Sequence, residues 1–127
     1  MNAYPRRFLS VTFAFCLLAG CGEQNSAVTI SPDFHRRLQA AHHLGSEDRR
    51  DKAYARIAND AADAGSGDVA RKAVGLIRSE TIRDRAAADT SARLMTIGQS
   101  TAAFKVAAII KSESLRNETR AATAAGE

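Results

Sequence analysis

Hydrophobic positions follow two different patterns along the chain. Between Phe8 and Gly20 they form one run, FLSVTFAFCLLAG, interrupted only by Ser10 and Thr12. Such a run matches the roughly 7–15 residues of an export signal's apolar stretch and falls short of the about 20 that a spanning helix needs. From Asp33 onward the apolar positions recur instead at helical spacing. Ala70, Ala73, Val74 and Ile77 stand at i, i+3, i+4 and i+7, as do Ala103, Val106, Ala107 and Ile110, and Tyr54, Ile57, Ala58 and Ala61 make a matching stripe. Ala87, Thr90, Ser91 and Leu94 keep the spacing with more polar character. No proline follows Pro32 and no strand-type alternation occurs, so the pattern predicts an all-α domain.

The helical part repeats itself. Arg50 to Ile82 aligns without a gap on Arg83 to Leu115, a period of 33 residues with ten identical pairs, among them Asp51/Asp84, Gly65/Gly98, Ser79/Ser112 and Glu80/Glu113. The register continues into Ala40 to Arg50 on one side and Arg116 to Ala125 on the other, giving half a repeat, two full repeats and a final half. Each unit divides into two helices, expected over about 49–63 and 69–78, then 82–96 and 102–111. Asp48, Thr81 and Ser114 are the expected N-caps of the first helices, with Thr81 and Asp84 as a capping box, and Asp68 and Thr101 those of the second. Gly65 and Gly98 follow the first helices, free to take the positive φ of a C′ residue. Loops this short require antiparallel neighbours, and the expected domain is a short array of about five helices.

Over about residues 49–125 this spacing resembles the tetratricopeptide family: aromatic Tyr54, aliphatic Ile57, small Ala58, turn glycine Gly65 and small Ala70, with Ser91, Gly98 and Ala103 in the second unit. The period is one residue shorter than that family's, no proline ends the units, and Ala87 stands where a large residue would open the helix. The resemblance implies a surface that binds peptides or partner proteins. On the first helices that surface falls at Arg56, Asn59 and Asp60, then Asp89, Ala92 and Arg93. The alternative is a plain helical bundle whose duplicated elements only close a core, because stacked repeats usually need three or more units.

Leu18, Ala19, Gly20 and Cys21 follow the basic pair Arg6-Arg7 and the apolar run, and they resemble the lipobox of bacterial lipoproteins. The resemblance implies cleavage after Gly20 and a lipid on the Cys21 thiol, which becomes the first mature residue. Buried methylenes contribute about 0.8 kcal/mol each, so two or three acyl chains such as palmitate hold firmly. Gly22, where an aspartate would favour inner-membrane retention, points to the outer membrane, facing the periplasm. An ordinary secretory signal or an uncleaved anchor is the alternative. The chain then divides into a signal over 1–20, a polar tether over 21–32 and a helical repeat domain over 33–125. Cys16 lies in the discarded segment, which leaves no pair for a disulfide.

Composition narrows the chemistry. Of 18 Lys and Arg, Arg6 and Arg7 leave with the signal, so 16 face 14 acidic residues and the mature charge is near +2. That balance is too slight for nucleic-acid binding. Trp is absent, and much of the 45% hydrophobic content is alanine, which predicts a thin, close-packed helical core. Gly65-Ser66-Gly67-Asp68-Val69-Ala70 fits a loose dinucleotide pattern, but that loop needs a preceding strand, and the reading is a structural turn. His35, His42 and His43 would share one helix face, either solvated or touching a metal. Ser46, Ser79 and Ser112 recur at helix junctions as caps, and the Arg50-Asp51 and Arg83-Asp84 pairs read as helix-start charges or inter-repeat bridges. No catalytic, cofactor or metal constellation emerges. The expected function is that of a lipid-anchored envelope protein, a small interaction or scaffolding module with an unidentified protein partner; a structural bundle comes second, and an enzyme or metal-binding protein last.

Overall fold

The structure, a computed structural model, describes residues 32–126. Cys21, the cleavage position after Gly20 and the segment up to residue 31 lie outside the described residues. Among the described residues there are six helices and no strand: α1 (Pro32–His42), α2 (Glu47–Asp63), α3 (Gly67–Gly75), α4 (Glu80–Thr96), α5 (Ser100–Ala107) and α6 (Glu113–Ala125). The all-α expectation holds, with six helices in place of about five because each half-unit at the ends forms a helix of its own. Pro32 opens α1, where its fixed φ suits the first turn and its missing N–H costs nothing.

α2, α4 and α6 lie side by side, α3 packs on α2 and on α5, α5 packs on α4, and α1 covers α2. The core between them is thin and alanine-rich. Ala58, Ala61, Ala62, Ala70, Ala73 and Ala103 are wholly buried with Val69, Val74, Val106 and Leu94 as the larger members. Each of the four helical stripes is inside, including the polar one, whose Thr90 and Ser91 are fully buried. Their hydroxyls are satisfied: Thr90 donates to Asn59 Oδ1 at 3.0 Å and Ser91 to the Ala103 carbonyl at 3.0 Å. Small residues let the backbones approach. A Cβ on Gly67 would stand 2.6 Å from that of Ala102, so α3 and α5 can meet at that point only through a glycine.

The helix boundaries repeat with the 33-residue period, but not where the caps were expected. α2 and α4 end at Asp63 and Thr96 as predicted, and Gly65 and Gly98 take φ 73° and 78°. Ser66 N–H donates to Ala61 O and Gly65 N–H to Ala62 O; Gln99 and Gly98 repeat both bonds to Leu94 and Met95, a Schellman turn made twice. At their starts, however, α2, α4 and α6 take Ser46, Ser79 and Ser112 as N-caps rather than Asp48, Thr81 and Ser114. For α4 and α6 the cause is a buried carboxylate. Asp51 accepts from Arg78 N–H at 3.1 Å and Ser79 N–H at 2.8 Å, and Asp84 accepts from Lys111 N–H at 3.2 Å and Ser112 N–H at 2.8 Å.

Asp84 is therefore occupied at the junction between α5 and α6, 27 and 28 residues further along the chain, and forms no capping box with Thr81. Ser79 caps with its own hydroxyl, accepting from Ile82 N–H at 3.5 Å. The same carboxylates end the preceding helices early. α3 stops at Gly75 and α5 at Ala107, short of the expected 78 and 111. Leu76 and Ile77, like Ile109 and Ile110, tighten into i to i+3 bonds, and the next two N–H groups go to the aspartate. At their N-termini α3 and α5 begin after Ser66 and Gln99, displacing the expected caps Asp68 and Thr101.

Candidate functional site

The expected partner residues fall on two helices that touch. Arg56, Asn59 and Asp60 lie on α2, and Asp89, Ala92 and Arg93 on α4. Arg56, Asp60, Asp89, Ala92 and Arg93 are exposed and Asn59 is half-buried. Several of them are spent within the chain. Asn59 accepts from Thr90, Asp60 pairs with Arg37 of α1, and Arg93 pairs with Asp63 of α2 at 2.6 Å. The hydrogen bond to Asp63 holds the Arg93 guanidinium above its ordinary pKa, with the Asp63 charge next and Asp89 and Asp60 adding to it. Arg56 makes no ion pair among the described residues, and neither does Asp89.

Sequence reasoning missed the groove beside this surface. Along the line where α4 meets α6, Ala88, Ala92 and Met95 face Leu115, Thr119 and Ala122 across a shallow apolar cavity of about 280 Å³. It continues past Ala88 and Leu115 into a more polar recess of about 490 Å³ bearing Glu80, Asp84, Arg85 and Asp89. The signal was present in the alignment. Asn59 is matched by Ala92 and Asp63 by Thr96, so the two side chains that close α2 onto α4 have no equivalents one unit later. Thr96 and Thr123 turn back on their own helices instead, donating to Ala92 O and Thr119 O. Asp89 joins the two regions, because it belongs to the expected surface and lines the recess.

The remaining candidates resolve into structural roles or open surface. Gly65 lies between α2 and α3 and Gly67 opens α3, and the Gly65 carbonyl accepts from Gln99 Nε2 at 2.6 Å, so the glycine-rich loop is a packed turn. Arg50 and Arg83 flank the buried aspartates, and the bridge is made by Asp51 and Asp84. His35, His42 and His43 line a groove with Tyr54 and Lys72; Tyr54 Oη lies 3.5 Å from His42 Nδ1, and the His42 and His43 rings meet edge to face. Among the described residues no cluster of three or more His, Cys, Asp or Glu side chains is placed to hold a metal ion, and no helix is long and apolar enough to cross a membrane. Comparison with protein-family models, with curated proteins and with solved structures finds no match for this chain.

Proposed function

We propose that the chain is an exported, lipid-anchored helical-repeat protein that serves as a small interaction or scaffolding module at a bacterial outer membrane, facing the periplasm. The observation that carries the repeat half of this reading is the doubled carboxylate bridge, Asp51 to Arg78 and Ser79 and Asp84 to Lys111 and Ser112, at one 33-residue interval. Identical backbone solutions at that interval, with the doubled Schellman turns, favour a tetratricopeptide-like array of antiparallel helical hairpins over an unpatterned bundle. The anchor half rests on Leu18-Ala19-Gly20-Cys21 after its basic and apolar segments.

The partner surface in this reading runs from Arg56 across Asp89 into the α4–α6 groove, since Asn59, Asp60 and Arg93 are occupied by contacts within the chain. Its mixture of an apolar trough and an acidic recess fits a protein segment with apolar side chains beside a cation. Two experiments test the halves separately. Radiolabelled palmitate should enter the wild type and not Cys21→Ser; equal labelling of both would remove the anchor. Crosslinking in the envelope should capture a stoichiometric partner that is lost in Arg56→Glu/Asp89→Lys, whereas no partner, or a partner indifferent to both changes, would leave the structural bundle as the better reading.

A further inference from the structure

The charges of the molecule are sorted by layer. α2, α4 and α6 together carry ten acidic and nine basic residues. α1, α3 and α5 carry Arg36, Arg37, Arg71, Lys72 and Lys105 against only Asp33 and Asp68, and the chain's three histidines cluster on α1 and just after it. α3 and α5 lie side by side with Arg71 matched by Phe104 and Lys72 by Lys105, all four exposed. α1 stands across a groove of about 330 Å³ from Lys72 and Leu76. Of the four exposed large hydrophobic residues among the described residues, two, Leu76 at 41% and Phe104 at 37%, are set among these cations. Among the described residues Arg36, Arg71, Lys72 and Lys105 have no ion-pair partner, and the other layer, which also leaves Arg49, Arg56, Arg85 and Arg120 unpaired, differs in carrying ten carboxylates among its cations.

We infer that the outer face of α1, α3 and α5 docks on an anionic lipid bilayer. Unneutralised cations with isolated apolar side chains between them are the composition that binds a negatively charged headgroup plane, the cations through the surface potential and the apolar groups by shallow burial. The chain enters this layer at Pro32, eleven residues after Cys21. An extended tether of that length reaches at most about 40 Å, at roughly 3.3–3.6 Å per residue. Nearness to lipid rests on the anchor proposed above, but the affinity of the face does not. With this layer on the bilayer, the layer of α2, α4 and α6, which holds Arg56, Asp89 and the α4–α6 groove, remains open to a partner.

The test uses the full chain carrying Cys21→Ser, so that no acyl chain contributes, in flotation with vesicles of phosphatidylcholine alone or mixed with phosphatidylglycerol. The segment Arg6–Gly20, basic and apolar, itself favours anionic vesicles and is common to every sample, so the face is read from the differences between variants on the same vesicles. Arg71→Glu/Lys72→Glu/Lys105→Glu is compared with Arg49→Glu/Arg85→Glu/Arg120→Glu, which makes the same change in net charge on the other layer. All six positions are exposed, and circular dichroism checks that helix content is kept. The expected result is preference for the anionic vesicles, a loss of at least about tenfold in the first variant, a change within about twofold in the second, and an intermediate loss in Lys72→Gln/Lys105→Gln. Equal binding to both vesicle types overturns the inference and directs the face to an acidic protein instead. Equal losses in the two triple variants overturn it as well, because net charge alone would then explain binding. Since no lipidated cysteine is present, failure here leaves the palmitate result untouched.

Discussion

The line where α2 meets α4 and the line where α4 meets α6 occupy equivalent places in the repeat, yet one is clamped and the other open. At the first, Thr90 reaches Asn59 and Arg93 reaches Asp63. At the second, Ala92 and Thr96 stand where Asn59 and Asp63 would be, Gly126 stands where Arg93 would be, and a cavity of about 280 Å³ remains. The same fading shows in the carboxylate bridge. Asp51 and Asp84 are buried on backbone N–H groups of the following junction, while the third member of the series, Asn117, is exposed. Backbone contacts that close each unit are thus repeated, and side-chain contacts that join units are made once. With neither clamp present, α6 is held to α4 by fewer side-chain bonds than α4 is to α2.

The largest expected effect separates the bridge from its faded copy. Asp51→Ala or Asp84→Ala strands two backbone N–H groups in a part-buried junction and should cost about 3 kcal/mol in chemical denaturation, while Asn117→Ala should stay within about 0.5 kcal/mol. Gly67→Ala forces a Cβ to within 2.6 Å of Ala102 and should cost about 1–3 kcal/mol in the same assay. Thr90→Val removes the clamp to Asn59 and should lower stability by about 1 kcal/mol, with Thr123→Val at the open line costing less. Ala92→Asn restores the missing acceptor opposite Thr123 and should add up to about 1 kcal/mol while narrowing the groove, which would also weaken partner capture. The smallest effect is at Arg93. Its pair with Asp63 is exposed on both sides, so Arg93→Ala should change stability by no more than about 0.5 kcal/mol, and less at high salt.

Much of the fold was legible. Apolar spacing marked all four buried stripes, and Gly65 and Gly98 marked the helix ends, because only glycine takes a left-handed φ at so little cost. The helix starts were misplaced by two residues. Asp51 and Asp84 are ordinary charged residues in sequence, and their neighbours Ser79 and Thr81 are both good caps; only the tertiary position of a buried carboxylate, 27 and 28 residues before its donors, decides between them. The expected surface was legible in place but not in state, since spacing puts Asp60 and Arg93 on the outside without showing that Arg37 and Asp63 hold them. The α4–α6 groove was written in the replacement of Asn59 by Ala92. Its meaning depends on knowing that Asn59 is a clamp, and that is visible only in three dimensions.

Native-state hydrogen exchange compares the two lines most directly. The amides of Ser79 and Ser112, donated to buried carboxylates, and those of α2 and α4 should exchange at or near the global unfolding free energy. Those of Thr119 to Ala125 in α6 should open at a clearly lower free energy, by local release from α4. If α6 exchanges in step with α2 and α4, the two lines are equally closed, and the groove between α4 and α6 is no opening for a partner.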